Sequence, residues 1–222
     1  MPKHLTGIDH TVIAVRDLDS AGKRFQRLGF TLSPRGRHSD HMGTANYTIM
    51  LAEDYFELLG VIAATPHNAR WREGLERGEG LAAVALRTDD ADKACTEIRG
   101  MGIVASDVLA FSRPVDLPDG RKTEAAFRIT QFPADAVPGL ALFVCAHLTR
   151  PAVWIPELLR HANTARGIAE VVATAANPAA AAEPWARIFG VSSVMEVAGG
   201  RYVQVGTHRL ALLTPAAIEQ RY

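Results

Sequence analysis

The stretch GIDHTVIAV, Gly7 to Val15, is rich in β-branched residues, yet it sets His10 among positions that a core-facing strand fills with valine or isoleucine. Forty-seven residues after His10, YFELLG puts Glu57 between large apolar neighbours, where a charge needs a partner or water. Imidazole nitrogen and carboxylate oxygen together suit a divalent ion such as Zn, Mn, Fe, Co or Ni, with coordination positions left for a substrate. The spacing alone is not diagnostic. If the strands bearing His10 and Glu57 are neighbours, however, the two side chains share one pocket.

RGRHSDHMGTANYTIML, from Arg35, is the second dense stretch. It leads His38, His41, Thr44 and Asn46 toward a strand, and loops on a rigid scaffold commonly carry binding groups. His41 and Asn46 are read as functional, and His38 as a surface-loop residue. His161 and Asn163 in RHANTARG, and His147 in CAHL, are further groups that could complete a site or simply bond to backbone. There is no G-x-S-x-G elbow, no phosphate-binding GxxxxGK[ST] loop and no GxGxxG fingerprint.

The elements that must position these groups recur. Ile8–Val15 reads as a strand, Asp17 or Asp19 caps a helix ending near Leu28, and Gly29 stops it. Short strands are expected at 30–32, 46–51 and 55–59. Gly80 to Ile103 and Gly167 to Val191 repeat the grammar of strand, cap, helix and terminating glycine. From His10 to Gly29 is 19 residues, from Ala83 to Gly102 is 19, and from Glu170 to Gly190 is 20. Further strands are expected at 108–111, 124–130, 140–144, 202–205 and 210–213, with turns at Pro118–Gly120 and Pro138-Gly139 and a helical linker over 154–160.

The fold class is therefore α+β, with repeated βαβββ modules whose paired, mostly antiparallel sheets form a cup. Residues 1–66 make the first module and 67–150 the second; 151–222 hold a linker helix and a third, shorter module, together one compact domain. Alternation places Ile8, His10, Val12 and Ala14 on one face of the first strand, and Tyr55, Glu57 and Leu59 on one face of the last.

A net charge of zero and a pI of about 7.1 give no footprint for nucleic acid or an anionic membrane. Cys95 and Cys145 are too few and too far apart for a disulfide framework and fit a reducing compartment. No apolar run reaches the length of a membrane span, and the N-terminus lacks a secretory h-region, so a cytoplasmic protein is expected.

GIDHTVIAVRDLDSAGKRFQRLGF followed by HMGTANYTIML and YFELLG resembles the vicinal oxygen chelate superfamily, and within it the glyoxalase-like branch. The resemblance implies paired modules forming a cup that binds a divalent metal, which chelates neighbouring oxygens of a small substrate. It carries over to His10 and Glu57 as metal ligands, and to His41, Gly43, Thr44 and Asn46 as the H-x-GT-x-N stretch. HANTARGI matches the branch's histidine-and-asparagine segment. On that footing His41 or His161 is third ligand or general base, while Thr44, Asn46 and Asn163 contact substrate. The expected activity is a lyase, isomerase or dioxygenase reaction on a small oxygenated substrate, in a homodimer. The alternative is a metal-free cup that binds or sequesters a small molecule.

Overall fold

A computed structural model describes residues 2–117 and 120–222. The first module comprises β1 (Gly7–Val15), α1 (Leu18–Arg27), β2 (Gly36–Arg37), β3 (Thr44–Met50) and β4 (Tyr55–Val61). Helix α2 (Ala69–Arg77) precedes the second, formed by β5 (Gly80–Arg87), α3 (Ala91–Gly100), β6 (Leu109–Asp116), β7 (Lys122–Gln131) and β8 (Ala141–His147). The third has β9 (Glu170–Thr174), α4 (Pro178–Phe189), β10 (Val194–Val197), β11 (Gly200–Val205) and β12 (His208–Leu213), and α5 (Pro215–Arg221) follows.

Local chemistry fixes the helix ends. Asp17 accepts from the Ser20 N–H at 2.9 Å, Asp90 accepts from Asp92 and Lys93, and Asn177 accepts from Ala180 with Pro178 at the first helical position. Gly29 takes φ +85°, which terminates α1 at little steric cost.

Within every module the first strand lies parallel to the last: β1 to β4, β5 to β8 and β9 to β12. An antiparallel pairing of β1 with β5 fuses the first two modules into one eight-stranded sheet, ordered β2-β3-β4-β1-β5-β8-β7-β6. The third module keeps its own sheet, β10-β11-β12-β9. Its Trp185, Phe189, Val203 and Leu210 join Leu5, Ile8 and Leu86 of the first two modules and Ile98 of α3 in one continuous core. On the same outer side, α1 packs Leu18 and Ala21 on Val15, Ile49 and Leu58. The concave face carries Tyr55, Ala85, Phe127, Cys145 and, next to them, Phe111, Phe143 and Trp154.

The eight-stranded sheet curls until its edges meet. β2 and β6 are opposite edges. Yet a Cβ placed on Gly36 of β2 would lie 3.5 Å from a guanidinium nitrogen of Arg113 on β6.

Several expectations are corrected. Residues 30–32 form no strand; the chain there is irregular, tied by Ser33 N–H to the Thr48 carbonyl. The strand expected over 108–111 runs on to Asp116, and its Pro114 is tolerated because β6 is an edge. The linker over 154–160 is not an α-helix but a 3₁₀ turn, Pro156–Leu159, opened by a proline that lacks the N–H a helix would need there. Helices α2 and α5 were not anticipated. Of the expected turn at Pro118–Gly120, Pro118 and Asp119 lie outside the described residues. Among the described residues no helix is long and apolar enough to cross a membrane.

Candidate active site

β1 does not alternate strictly. Ile8 pairs with Leu86 but His10 with Ala85, so Asp9 is an extra residue in the ladder. The shift corrects the face expected for β1: Ile8 turns to the outer core, while Asp9 and His10 reach partners on the concave side. The parallel register of β1 and β4 then sets Val12 opposite Glu57 and His10 opposite Tyr55.

A line of polar groups results. Asp9, with no exposed side-chain surface, takes His147 Nε2 on both oxygens at 2.9 and 3.0 Å. It faces His10 Nδ1 at 3.4 Å. On the far side of the ring, His10 Nε2 lies 3.8 Å from Glu57 Oε2. Asn46 Nδ2 donates to Glu57 Oε1 at 2.6 Å, and His38 Nε2 stands 3.9 Å from that same oxygen. His38 is held in turn by a 2.8 Å hydrogen bond between its Nδ1 and Thr44 Oγ1. Tyr55 stacks on the His10 ring at 4.3 Å and Phe143 meets it edge-on at 5.4 Å, so the imidazole has one orientation.

The electrostatics follow from burial and pairing. Desolvation pushes the Asp9 carboxyl up, but hydrogen bonds from His10 and His147, with their charges, outweigh it and hold Asp9 well below the usual carboxylate range. Burial pushes the His38 imidazole below the ordinary histidine value; Glu57 opposes that and Arg113 reinforces it. Burial raises the Tyr55 hydroxyl and the Cys145 thiol well above their usual values, and Asp9 adds to both. At neutral pH His38 is therefore an uncharged ring beside a carboxylate.

The sequence-derived candidates separate by what they touch. His10, Glu57 and Asn46 converge, and Thr44 joins them through His38. His38, read from the sequence as a surface-loop residue, has a side chain only 10% exposed, because β2 pairs with β3 and turns it inward. His41 is exposed, its ring 4.5 Å from that of His67. His161 accepts the Thr31 N–H on Nδ1 and meets the Met50 carbonyl with Nε2. Asn163 donates to the Leu28 carbonyl. Both thus tie the segment after the second module to the first. Asp9 and Arg113 were missed; an arginine alternating with Phe111 and Val115 in FSRPV is the signal that could have revealed the latter.

Asp9, His10, Cys145 and His147 bring possible ligand atoms within 4.8 Å of one another, a set that could hold a metal ion. Its location is closed, with Asp9 and Cys145 buried. The Glu57 side is the more open one, with that side chain 12% exposed. A cavity of about 510 Å³ lies elsewhere, between α2 and the ends of β1, β5 and β8, lined by Ala14, Trp71, Arg77 and Ala141 but by no histidine or cysteine.

Solved structures share this fold. A hypothetical protein from Staphylococcus aureus superposes with a TM-score of 0.72 at 14% identity, over 93% of this chain and 85% of that one. Methylmalonyl-CoA epimerase from Mycobacterium tuberculosis matches with a TM-score of 0.51 at 20% identity, covering 69% of this chain and 96% of its own. A Streptomyces coelicolor methylmalonyl-CoA epimerase variant in complex with 2-nitronate-propionyl-CoA matches with a TM-score of 0.50 at 22% identity, over 65% and 96%. Among curated proteins no sequence matches significantly. The family profile described as the glyoxalase-like domain matches residues 8–189, which span the first two modules and reach the end of α4. The chain belongs to the glyoxalase-like domain family, within the vicinal oxygen chelate fold.

Proposed function

We propose that this chain is a divalent-metal-dependent, glyoxalase-like enzyme that moves a proton next to a carbonyl of a small oxygenated substrate. The observation that carries this reading is the approach of His10 Nε2 to Glu57 Oε2 at 3.8 Å, each group oriented from behind, His10 by Asp9 and Glu57 by Asn46. A carboxylate behind a histidine and an amide behind a carboxylate are the outer partners that metal ligands require. The donor set fits a divalent ion. His10 Nε2 and Glu57 Oε2 offer an imidazole nitrogen and a carboxylate oxygen to the same space, and Asn46 Oδ1 is buried without a hydrogen-bond partner. When bound there, a metal would supply Lewis acidity toward a substrate oxygen.

The remaining steps belong to this chain's own groups. Neutral His38, its Nδ1 held by Thr44, presents Nε2 as the base that takes a proton from the carbon beside the carbonyl and returns it. Burial of the ring keeps this nitrogen unprotonated. Tyr55, Phe143 and Phe127 exclude water from the His10 side. The family resemblance would make His41 or His161 the third ligand or base and Asn163 a substrate contact. To act so, His161 and Asn163 would have to leave the Thr31, Met50 and Leu28 backbone groups that they bond here.

The test is metal content of the purified protein beside His10→Ala and Glu57→Gln. Near-stoichiometric metal in the parent, lost in both variants, supports the reading. A metal-free parent that takes up none of Zn, Mn, Fe, Co or Ni overturns it in favour of a metal-free, aromatic-lined binding cup, the reading that the stacking of Tyr55 on His10 favours.

A further inference from the structure

Arg113 sits on the inward face of β6, between Phe111 and Val115, where the alternation of the strand calls for an apolar residue. No salt bridge or hydrogen bond engages its side chain among the described residues. Its guanidinium nevertheless spans the cup. One nitrogen lies 3.5 Å from where a Gly36 Cβ would stand, and its charge is felt at both His38 and Tyr55. The arginine thus comes from one edge of the sheet to the opposite edge, over the space that Glu57, His38 and Asn46 face. A half-buried, unpaired guanidinium has planar donors suited to a carboxylate. Gly36 is part of the same device. Any side chain there would begin against Asn46 Oδ1 and beside Arg113, filling the gap between them.

We infer that Arg113 is the anion-binding residue of the cup, and that the substrate is a short carboxylate whose carbonyl or hydroxyl lies next to the carboxyl group. The carboxylate would sit on Arg113 and the neighbouring oxygenated carbon would point to His38 and Glu57. The inference rests on the proposed function for the location of the chemistry and adds the substrate class.

Pyruvate and 2-oxobutyrate are titrated against their neutral amides, pyruvamide and 2-oxobutanamide, following the ring-proton resonances of His10 and His38 by NMR. The parent protein is expected to bind each acid at least about tenfold more tightly than its amide, the range of a charge-assisted hydrogen bond. Arg113→Met is expected to erase that preference, and Arg113→Lys to retain part of it. Equal binding of acid and amide by the parent overturns the inference, as does absence of acid binding. Persistence of the preference in Arg113→Met overturns it too. The parent's acid-to-amide ratio is read without any variant. It can fail while metal content and its dependence on His10 and Glu57 stand, which separates this failure from that of the proposed function.

Discussion

Asn46 fixes Glu57. The amide of Asn46 on β3 donates across 2.6 Å to one carboxylate oxygen of Glu57 on β4 and leaves the other oxygen turned to His10. Thr48, not Asn46, is the residue directly opposite Glu57 in the β3–β4 ladder, so the bond is diagonal and depends on the Asn46 rotamer. Replacing Asn46 by Ala is expected to weaken metal affinity about 10–100-fold, the usual effect of removing an outer partner of a metal ligand. Gly36→Ala should reproduce part of that loss although it touches no ligand, because the new methyl displaces the Asn46 amide. Metal titration of both variants checks the pair, and an unchanged affinity in Asn46→Ala would break the link between the amide and the site.

Asp9 makes the site sensitive to acid. Its folded carboxyl is held below the ordinary value of 3.8, so the folded state binds the proton less readily than the unfolded one. The stability that this contributes is fully present above the unfolded value and is lost as pH falls below it. Asp9→Asn removes the charge but keeps the shape, and should cost about 1–3 kcal/mol at neutral pH, the scale for a buried charged hydrogen bond. That gap should narrow as pH falls below about 4. Urea unfolding of both proteins between pH 7 and pH 3 measures it. A gap that stays constant would mean that the carboxyl titrates alike in the folded and unfolded chain, and a change of opposite sign that it is protonated in the folded state.

His38 is expected to matter to turnover more than to metal retention. Its Nε2 faces Glu57 but is not placed against His10, so His38→Gln should keep metal while losing about 10²–10⁴-fold in proton transfer, the range for a positioned acid–base group. Deuterium exchange at the carbon next to the carbonyl of a bound 2-oxo acid reads that step directly. Retained exchange in the variant would return the role of base to another group of the cup.

The repeat was legible because it is local. Caps at Asp17, Asp90 and Asn177, terminating glycines such as Gly29, and strand alternation all act within a few residues, and the near-constant spacing follows from them. The pairing of His10 with Glu57 followed from the same logic, since β1 and β4 are the first and last strands of one module. What escaped was tertiary. The register shift at Asp9 exists only against β5, and strict alternation sends Asp9 to the wrong side. Arg113 gains its meaning only when the sheet curls far enough to bring β6 to β2. His38 read as a surface residue because β2 is two residues long and has little periodicity to show. Helix α2 has a polar sequence, ARWREGLER, whose one buried residue is Leu75.

The third module is held to the first by a buried polar joint. His208 on β12 accepts the Ile8 N–H on Nδ1 at 3.1 Å and meets Asp54 Oδ2 with Nε2 at 3.0 Å. Asp54 Oδ1 also takes the Ile168 N–H at 3.0 Å. Accepting on Nδ1 requires the neutral tautomer with its proton on Nε2, so the ring both reads β1 and seats the loop before β4. Asp54→Ala would leave a buried imidazole N–H and the Ile168 amide without partners, at a cost of about 1–3 kcal/mol for each group. The apolar core shared through Leu5, Ile8 and Leu210 should keep the chain folded, so the loss is expected to be local. Hydrogen exchange should accelerate in β9 and β12 well before it does in β1, β4 and β5, while metal content stays at the parent level. Uniform acceleration through both sheets would show instead that the modules unfold as one unit, and that the joint supports the cup as much as the third module.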